Sequence, residues 1–546
     1  MATYTYPGVY IEEIPSAVHT ITGVATSIAA FVGWAPQGPV TQATLVQSWS
    51  DYAAQFGGLD PRSYLGYAVN QFFANGGQQT YIIRLASSAA DGVGGNTHAA
   101  TAAVTITGLT FDTTGAKGTV TITTGGAGGL TISAANPGKW GKALSVQIQP
   151  RADDYTRFTL TVISTDPTTL VQTIVENFTN LSLSPSDSVG RYVVNVLNEQ
   201  SNFVAASNDI TTPLTITHNP AAVPTKQLPA GTASIGLGGG DDGTVLAPTT
   251  TPGTPGGFET LLTAANNGVN LLDQVPIFNL LAVPGEIDPA TIATLQQYVV
   301  THKAFLLVDS QQSDTFTNLQ SGPDPQMTGV NATNAAFYFP WANVFDPIQK
   351  VTRPFPPSGF VAGLYAATDA ARGVWKAPAG INASLTGPSG LATVLTDSQN
   401  GTLNPQAINC LRRFPVYGDV IWGARTLRGN NQVGSEWKYV PIRRLSLFLE
   451  VSLYQGTQWV VFEPNDETLW GQIRLNVGSF LQGLFLQGAF AGTTPQQAYF
   501  VKCDAENNPP SSVAQGIVQI LVGFAPLYPA EFVVIQIAQI AGQSQT

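Results

Sequence analysis

The sequence is poor in the residues that do chemistry. It holds 2 cysteines, Cys410 and Cys503, and 4 histidines in 546 residues. Two thiols far apart in sequence exclude a disulfide framework and a cysteine-rich zinc site, and read as two buried thiols. No pair among His19, His98, His218 and His302 has metal-ligand spacing. Charge is scarce too: Asp, Glu, Lys and Arg make up 10% of the chain, against a usual share of about 25%. What charge there is leans acidic, 34 Asp+Glu against 23 Lys+Arg, for a net −11. That argues against a nucleic-acid partner, which needs a basic face to displace counterions from phosphates. Long apolar runs are missing, cut by proline as in Phe524-Ala525-Pro526-Leu527-Tyr528-Pro529, so no membrane insertion is expected. The start, Met1-Ala2-Thr3-Tyr4, lacks the basic start and apolar core of a signal peptide.

What is present is a core. Hydrophobic residues at 43% exclude wholesale disorder, and the length suits roughly three or four domains. Glycine (55) and proline (37) are abundant. A surface of Gln, Asn, Thr and Gly with few charges fits a subunit that faces copies of itself, and equally an extracellular β-rich protein. The charges are also segregated. Residues 401–546 carry nine basic and nine acidic residues and are neutral, so the first 400 carry the whole net charge.

The pattern along the chain changes three times. Tyr4 to Ile14 is aromatic and β-branched, bounded by Pro7 and Pro15: a strand with no local partner. Ile28–Gly33 and Tyr81–Leu85 read as strands, and Ser63–Asn75 as a helix. From about 91 to 245, Thr, Gly and Ala dominate and alternating runs such as Val104–Thr107 and Val120–Thr123 recur, a small all-β insertion. Tyr192–Asn198 within it suits helix or strand. Thr249–Gly257 is a linker. Beyond it, Phe278–Val283 and Ala304–Asp309 are short apolar runs with a helical Ile292–Val300 between them, and Ala335–Trp341 is a third such run. That is βαβ grammar, with strands buried on both faces. After Gly401, Asn404-Pro405 reads as the opening of a helix. Further helices are expected over Ile442–Leu453 and after Pro464-Asn465, where Leu469, Ile473, Val477, Phe480 and Leu484 form one stripe. The chain ends in an apolar strand, Glu531–Ile540.

Catalytic patterns are thin. His302, Asp309 and Ser358 allow a Ser-His-Asp site by geometry, but no Gly-x-Ser-x-Gly elbow occurs. Gly238-Gly239-Gly240-Asp241-Asp242-Gly243 matches a dinucleotide fingerprint in letters only: two acids would repel a phosphate and a linker follows, so it reads as a turn. Asp309, at the end of a buried strand, suits a ligand site or a cap on the next turn. Arg353, Asp369, Arg372 and Lys376 form a denser charge cluster, better suited to buried or interface ion pairs than to catalysis.

Several segments together resemble a known family. They are Tyr6-Pro7-Gly8-Val9-Tyr10-Ile11-Glu12-Glu13, Phe31-Val32-Gly33-Trp34-Ala35-Pro36, Pro356-Pro357-Ser358-Gly359-Phe360 and Gly373-Val374-Trp375-Lys376-Ala377-Pro378. The densest are Trp422-Gly423-Ala424-Arg425-Thr426-Leu427 and Tyr439-Val440-Pro441-Ile442-Arg443-Arg444, followed by Phe462-Glu463-Pro464-Asn465 and Pro529-Ala530-Glu531-Phe532. In these the chain resembles the contractile tail sheath proteins of bacteriophages and of phage-tail-like contractile injection systems. The resemblance implies a multidomain α/β (α+β) protein. An N-terminal arm would span 1–20. A central sheath domain, sometimes called subtilisin-like, would span 21–90 and 255–400. A variable β-rich insertion at 91–245 would face outward, a C-terminal domain at 401–528 would face an inner tube, and a C-terminal arm would span 529–546. It implies a structural subunit rather than an enzyme, without cofactor. Its partners would be further copies of itself in hexameric rings stacked as a helix, an inner tail tube protein, and baseplate and tail terminator proteins. Assembly would take place in the bacterial cytoplasm. Tyr6, Val9, Tyr10 and Ile11, with Phe532, Val533, Val534, Ile535 and Ile537, would supply inter-subunit arm strands. Arg443, Arg444 and Arg474 are candidates for contact with the inner tube. The rival readings are a secreted α/β hydrolase and a glycan-binding adhesin.

Overall fold

The computed structural model describes residues 19–112, 119–125, 128–151, 154, 156–209, 211–219, 232–534 and 536. The N-terminal arm through Val18 therefore lies outside the described residues, as do Ile535 and Ile537.

The centre is an eight-stranded sheet. Its strands are β1 (Ala29–Trp34), β2 (Thr44–Val46), β3 (Thr80–Leu85), β4 (Leu280–Ala282), β5 (Phe305–Asp309), β6 (Ala335–Phe339), β7 (Ile408–Phe414) and β8 (Gly418–Ile421). They lie in the order β2-β3-β1-β4-β5-β6-β7-β8. The six inner strands are parallel, while β2 and β8 run antiparallel at the edges. Near-continuous apolar runs are what such strands need, because successive side chains enter opposite cores. Phe31, Ile82, Leu280, Phe305 and Tyr338 face helices α1 (Trp49–Phe56), α2 (Leu65–Ala74) and α4 (Ser358–Arg372). Val32, Ile83, Leu281, Leu306 and Phe337 face α3 (Pro289–Thr301) and the 257–274 segment.

Between β3 and β4 the chain leaves for the Thr-rich stretch, which forms two sheets of its own. One uses Ala103–Asp112, Thr119–Thr124, Leu130–Ala134, Val204–Asn208 and Ile216–Asn219; the other uses Leu144–Pro150, Arg157–Thr165, Gln172–Ser182 and Ala233–Gly236. Their core draws only on residues between Ala102 and Leu237. The ambiguous 192–198 run is helical, within Val193–Gln200.

The last part packs α5 (Val440–Gly456) against α6 (Glu467–Leu486), with Leu445, Leu449, Leu469, Ile473, Val477 and Leu484 in a fourth core. Beside them sits a two-stranded sheet, β9 (Tyr499–Lys502) and β10 (Leu521–Phe524). The helix expected from Asn404-Pro405 does not form. A single turn, Asn404–Gln406, ends at Ala407, whose φ of 66° is left-handed, and the next residues become β7. The cap and N1 proline are real helix starters, but Ile408, Asn409 and Cys410 are recruited by the open edge of β6.

Candidate functional site

The catalytic reading comes apart at His302. Ser358 opens α4 and is fully buried, and Asp309 ends β5. Asp309 accepts from the Ser358 hydroxyl at 2.8 Å, from the Ser358 N–H at 2.8 Å and from the Gly285 N–H at 3.0 Å. Burial pushes its pKa up to about 6 in spite of these bonds. His302 follows α3, at the opposite end of β5. There it stacks on Tyr298 and places Nε2 3.1 Å from Asp273. Asp309 thus clamps a helix start and a loop, and the three residues are not brought together. Burial pushes the Cys410 thiol up to about 12 and the Cys503 thiol upward, so neither is poised as a nucleophile. Among the described residues no group of His, Cys, Asp and Glu could hold a metal ion, and no helix is long and apolar enough to cross a membrane.

The denser charge cluster also separates. Arg353 bonds Asp346 at 2.8 Å, while Asp369 belongs to Arg444. Of the three tube-contact candidates, Arg444 is inside the chain. It donates to both Asp369 oxygens at 2.8 and 2.6 Å and to the Thr26 carbonyl, and lies over the Tyr365 ring. Burial opposes its charge; the Asp369 carboxylate overrides that and holds the guanidinium charged. Arg444 therefore has no surface to offer a tube, and the expectation for it is corrected on that ground. Arg443 is mostly covered, held by Asn334, Glu450 and the face of Trp437. Arg474 pairs with an exposed Glu467 at 2.6 Å and keeps a partly exposed side chain.

The arrangement that sequence reasoning missed joins two of the quoted motifs. Trp422–Leu427 follows β8, and Gly423 lies so close to Asn409 of β7 that a Cβ there would meet Asn409 Cα at 2.9 Å. Buried Asn409 then bonds Arg425 at both its N–H, 2.7 Å, and its carbonyl, 2.8 Å. This fixes the backbone of Arg425, whose side chain is only 1% exposed. Its Nε and Nη2 donate to the two oxygens of Glu531, each at 2.6 Å, and Nη1 donates to the Gly429 carbonyl and to Asn431. Tyr439 donates to Glu531 at 3.0 Å and Asn404 at 3.3 Å. Burial works against a charged Glu531, but the Arg425 hydrogen bonds and charge outweigh it and hold the pKa below the ordinary carboxylate value. The signal available in sequence was a lone acid in Pro529-Ala530-Glu531-Phe532, in a chain that spends charge sparingly.

Past this anchor the described residues are bare. Phe532, Val533 and Val534 are in no strand and are exposed at 75, 81 and 80%. On the C-terminal unit, among the described residues, β9 and β10 pair only with each other, with Phe500 and Leu521 both about half exposed. An open cleft of about 870 Å³ runs beside the anchor, between Trp375, Trp422 and residues 527–532.

A doubly covered α/β core with a separately packed β insertion, a helical C-terminal unit and an exposed apolar chain end is the build of an assembly subunit. Residues 274–427 match the phage tail sheath protein central domain and residues 432–540 the phage tail sheath C-terminal domain. Over these two spans, together just under half of its length, the chain matches the phage tail sheath family. It is 26% identical over 219 residues to the tail sheath protein of Vibrio phage KVP40, covering 38% of this chain and 31% of that protein. It is 29% identical over 197 residues to a putative prophage major tail sheath protein of Pseudomonas aeruginosa strain UCBPP-PA14, covering 35% of this chain and 48% of that one. The chain thus spans less than half the length of these curated relatives. Its fold is that of the anti-feeding prophage helical sheath in the contracted state, with a TM-score of 0.55 and 23% identity, over 98% of this chain and 100% of that one.

Proposed function

We propose that this chain is the structural subunit of a contractile tail sheath. Copies stack as hexameric rings in a helical tube around an inner tail tube, and contraction drives that tube through a target envelope. The observation that carries the reading is the tandem match to the sheath central and C-terminal domains. The sequence motifs lie on both sides of the junction, and Arg425 of the first domain holds Glu531 of the second. The scarce charge agrees, because unpaired charges are costly where subunits face one another.

In this reading the bare end from Phe532 onward and the segment around Tyr6–Ile11 are arms that leave their own subunit. They add strands to sheets such as β9–β10 on neighbours, where main-chain bonds persist while the linkers turn. The 401–528 unit faces the tube, the 91–245 insertion faces outward, and the 21–90 and 255–400 segments form the central domain. Baseplate and terminator proteins cap the stack, and the sheath is assembled in the cytoplasm as part of a phage tail or a phage-tail-like particle. The role is structural, not enzymatic. Negative-stain electron microscopy of the purified chain, alone and co-produced with a tube protein, tests this. Long tubes of stacked rings are expected; dispersed subunits at every concentration, in both preparations, would overturn it.

A further inference from the structure

The motif Phe462-Glu463-Pro464-Asn465, in the turn between α5 and α6, is not absorbed by the fold. Phe462 is fully exposed and Val461 beside it is 60% exposed. Phe462 also holds a φ of 71°, in the left-handed region that a bulky side chain rarely adopts. The turn is nonetheless firmly built. The Asn465 side chain accepts from Trp470 Nε1 at 2.9 Å and donates to the Ile517 carbonyl at 3.0 Å. The Glu463 N–H donates to the Val460 carbonyl at 3.2 Å. Strained backbone that its surroundings hold in place clusters at functional positions, and aromatic side chains dominate the energetics of interfaces. Glu463 is exposed too, and its carboxylate meets no partner among the described residues. The next two acids are committed, Asp466 to the start of α6 and Glu467 to Arg474.

The cleft of about 870 Å³ beside the Arg425–Glu531 pair has the complementary chemistry. Partly exposed Trp375 and Trp422 line it, with Leu527 and Tyr528 at 38 and 67% exposure. Its acids are taken, Asp397 by Arg412 at 2.7 Å and Glu531 by Arg425. Two of its cations are not. Arg372 is exposed and, among the described residues, meets no carboxylate; Lys376 donates to the Ala377 carbonyl at 3.0 Å. Burial and the Arg372 charge press the Lys376 pKa down, and a carboxylate arriving there offsets both. The cleft reaches Gln487 and Gly488, just past the end of α6, whereas Phe462 stands just ahead of its start. A helix of 20 residues is about 30 Å long, so Phe462 cannot enter the cleft of its own chain.

We propose that Phe462 and Glu463 of one copy dock in this cleft on a second copy, the ring against Trp375, Trp422 and Tyr528 and the carboxylate on Arg372 and Lys376. Knob and cleft are different surfaces at opposite ends of one helix. The contact is therefore head-to-tail and repeats from copy to copy, closing as a ring or running on as a filament. It uses neither chain end and does not rest on the sheath reading.

The test mixes two full-length variants, Val461→Cys and Ala530→Cys, which put one thiol beside the knob and one at the rim of the cleft. The native Cys410 and Cys503 are buried. A short bis-maleimide should give a cross-linked dimer from the mixture and none from either variant alone. Adding Phe462→Gly to the Val461→Cys chain should cut the yield at least about tenfold. Its melting temperature should hold or rise, because glycine suits the left-handed turn. Adding Glu463→Lys instead should cut the yield about fivefold, and Arg372→Glu with Lys376→Glu in the Ala530→Cys chain should restore it. Pairing through the chain ends cannot produce that rescue. Cross-linking indifferent to Phe462, no dimer from the mixture at any concentration, or a Phe462→Gly chain that loses only its co-sedimentation with a tube protein would each overturn the proposal.

Discussion

Arg425 and Glu531, 106 residues apart in sequence, meet in a two-armed ion pair with both N···O distances at 2.6 Å. The arginine is locked by Asn409 at the end of the central sheet, and the glutamate is followed by the exposed residues Phe532, Val533 and Val534. The pair thus determines where the C-terminal segment departs and in which direction it leaves.

Breaking the pair from one side should be expensive. Glu531→Gln strips a buried guanidinium of its counter-charge, a loss of about 3–5 kcal/mol when both partners are fully buried. Glu531 is 16% exposed, so water recovers part, and about 2–3 kcal/mol is expected in urea unfolding. Arg425→Met combined with Glu531→Leu should restore most of it. Because the folded pKa of Glu531 is depressed, its contribution is present above the unfolded pKa and is lost as pH falls through the lower folded value. A pH-independent difference between Glu531→Gln and the parent would contradict this.

Glu286 should give the opposite slope. Its Oε1 accepts from the Asp288 N–H at 2.7 Å, while Oε2 is buried and unpartnered. Burial, joined by the nearby Glu259 and Asp288 charges, pushes its pKa from 4.5 to about 8 against the Asp288 and Ile287 backbone N–H groups. The folded state then keeps a proton that the unfolded chain releases, so this group costs stability as pH rises through that window. Glu286→Gln is neutral throughout. Its stability relative to the parent should climb between pH 4.5 and about 8 and level off outside, as read from urea midpoints across a pH series.

These carboxylates show what the sequence could and could not reveal. The core strands were legible because burial on both faces demands unbroken apolar runs, and the α6 stripe because one face repeats at helical spacing. β7 was not. Its local signals start a helix, and what overrides them is the edge of β6, some seventy residues earlier. Asp309 was placed at a strand end and His302 falls just before the same strand, but only the fold shows that the partner of Asp309 is Ser358. The Arg425 anchor was hidden for the same reason, since separation along the chain says nothing about which acid reaches which base. Tyr6, Val9, Tyr10, Ile11, Ile535 and Ile537 lie outside the described residues.

The arginines of the C-terminal unit should divide by burial. Arg444→Met leaves Asp369 buried without its partner and should cost about 3–5 kcal/mol in thermal or urea melts. Arg474→Glu disturbs a partly exposed pair and one hydrogen bond to the Cys503 carbonyl, and should cost about 1 kcal/mol, far less than Arg444→Met. If the unit faces an inner tube, Arg474→Glu should loosen co-sedimentation of sheath with tube in a salt-dependent way. An Arg474→Glu as costly as Arg444→Met, or an unaffected Arg444→Met, would reverse the assignment.

The insertion should be removable at a small loss. Its core is its own, but Asp242 bonds Arg62, and the Pro137 carbonyl accepts from buried Arg84 at 2.9 Å. Replacing residues 95–245 by a short Gly/Ser linker deletes both acceptors. Arg84 keeps the carbonyls of Ala35, Pro36 and Gly38. A loss of about 1–3 kcal/mol is expected, with tubes still forming by electron microscopy. A folded core that makes no tubes would show that the insertion carries a lattice contact.

The chain ends should hold the lattice rather than the subunit. Phe532 to Val534 are more than two-thirds exposed and, among the described residues, bond no strand, while β9 and β10 there have only each other. An apolar unpaired segment and an unpaired sheet edge are each a template for pairing with another chain. Several main-chain bonds per arm, at a net of about 0.5–1.5 kcal/mol each, are small for one subunit and large when repeated along a sheath. Pro at Val534 removes a ladder donor and restricts the backbone where no described contact is lost. Its melting curve should therefore overlay that of the parent while tubes disappear from the same sample under negative stain. Deleting residues 1–15 should do the same from the other end. Normal tubes from either variant would mean that the arms do not carry the lattice. An early melt without tubes would mean that they pair within their own subunit.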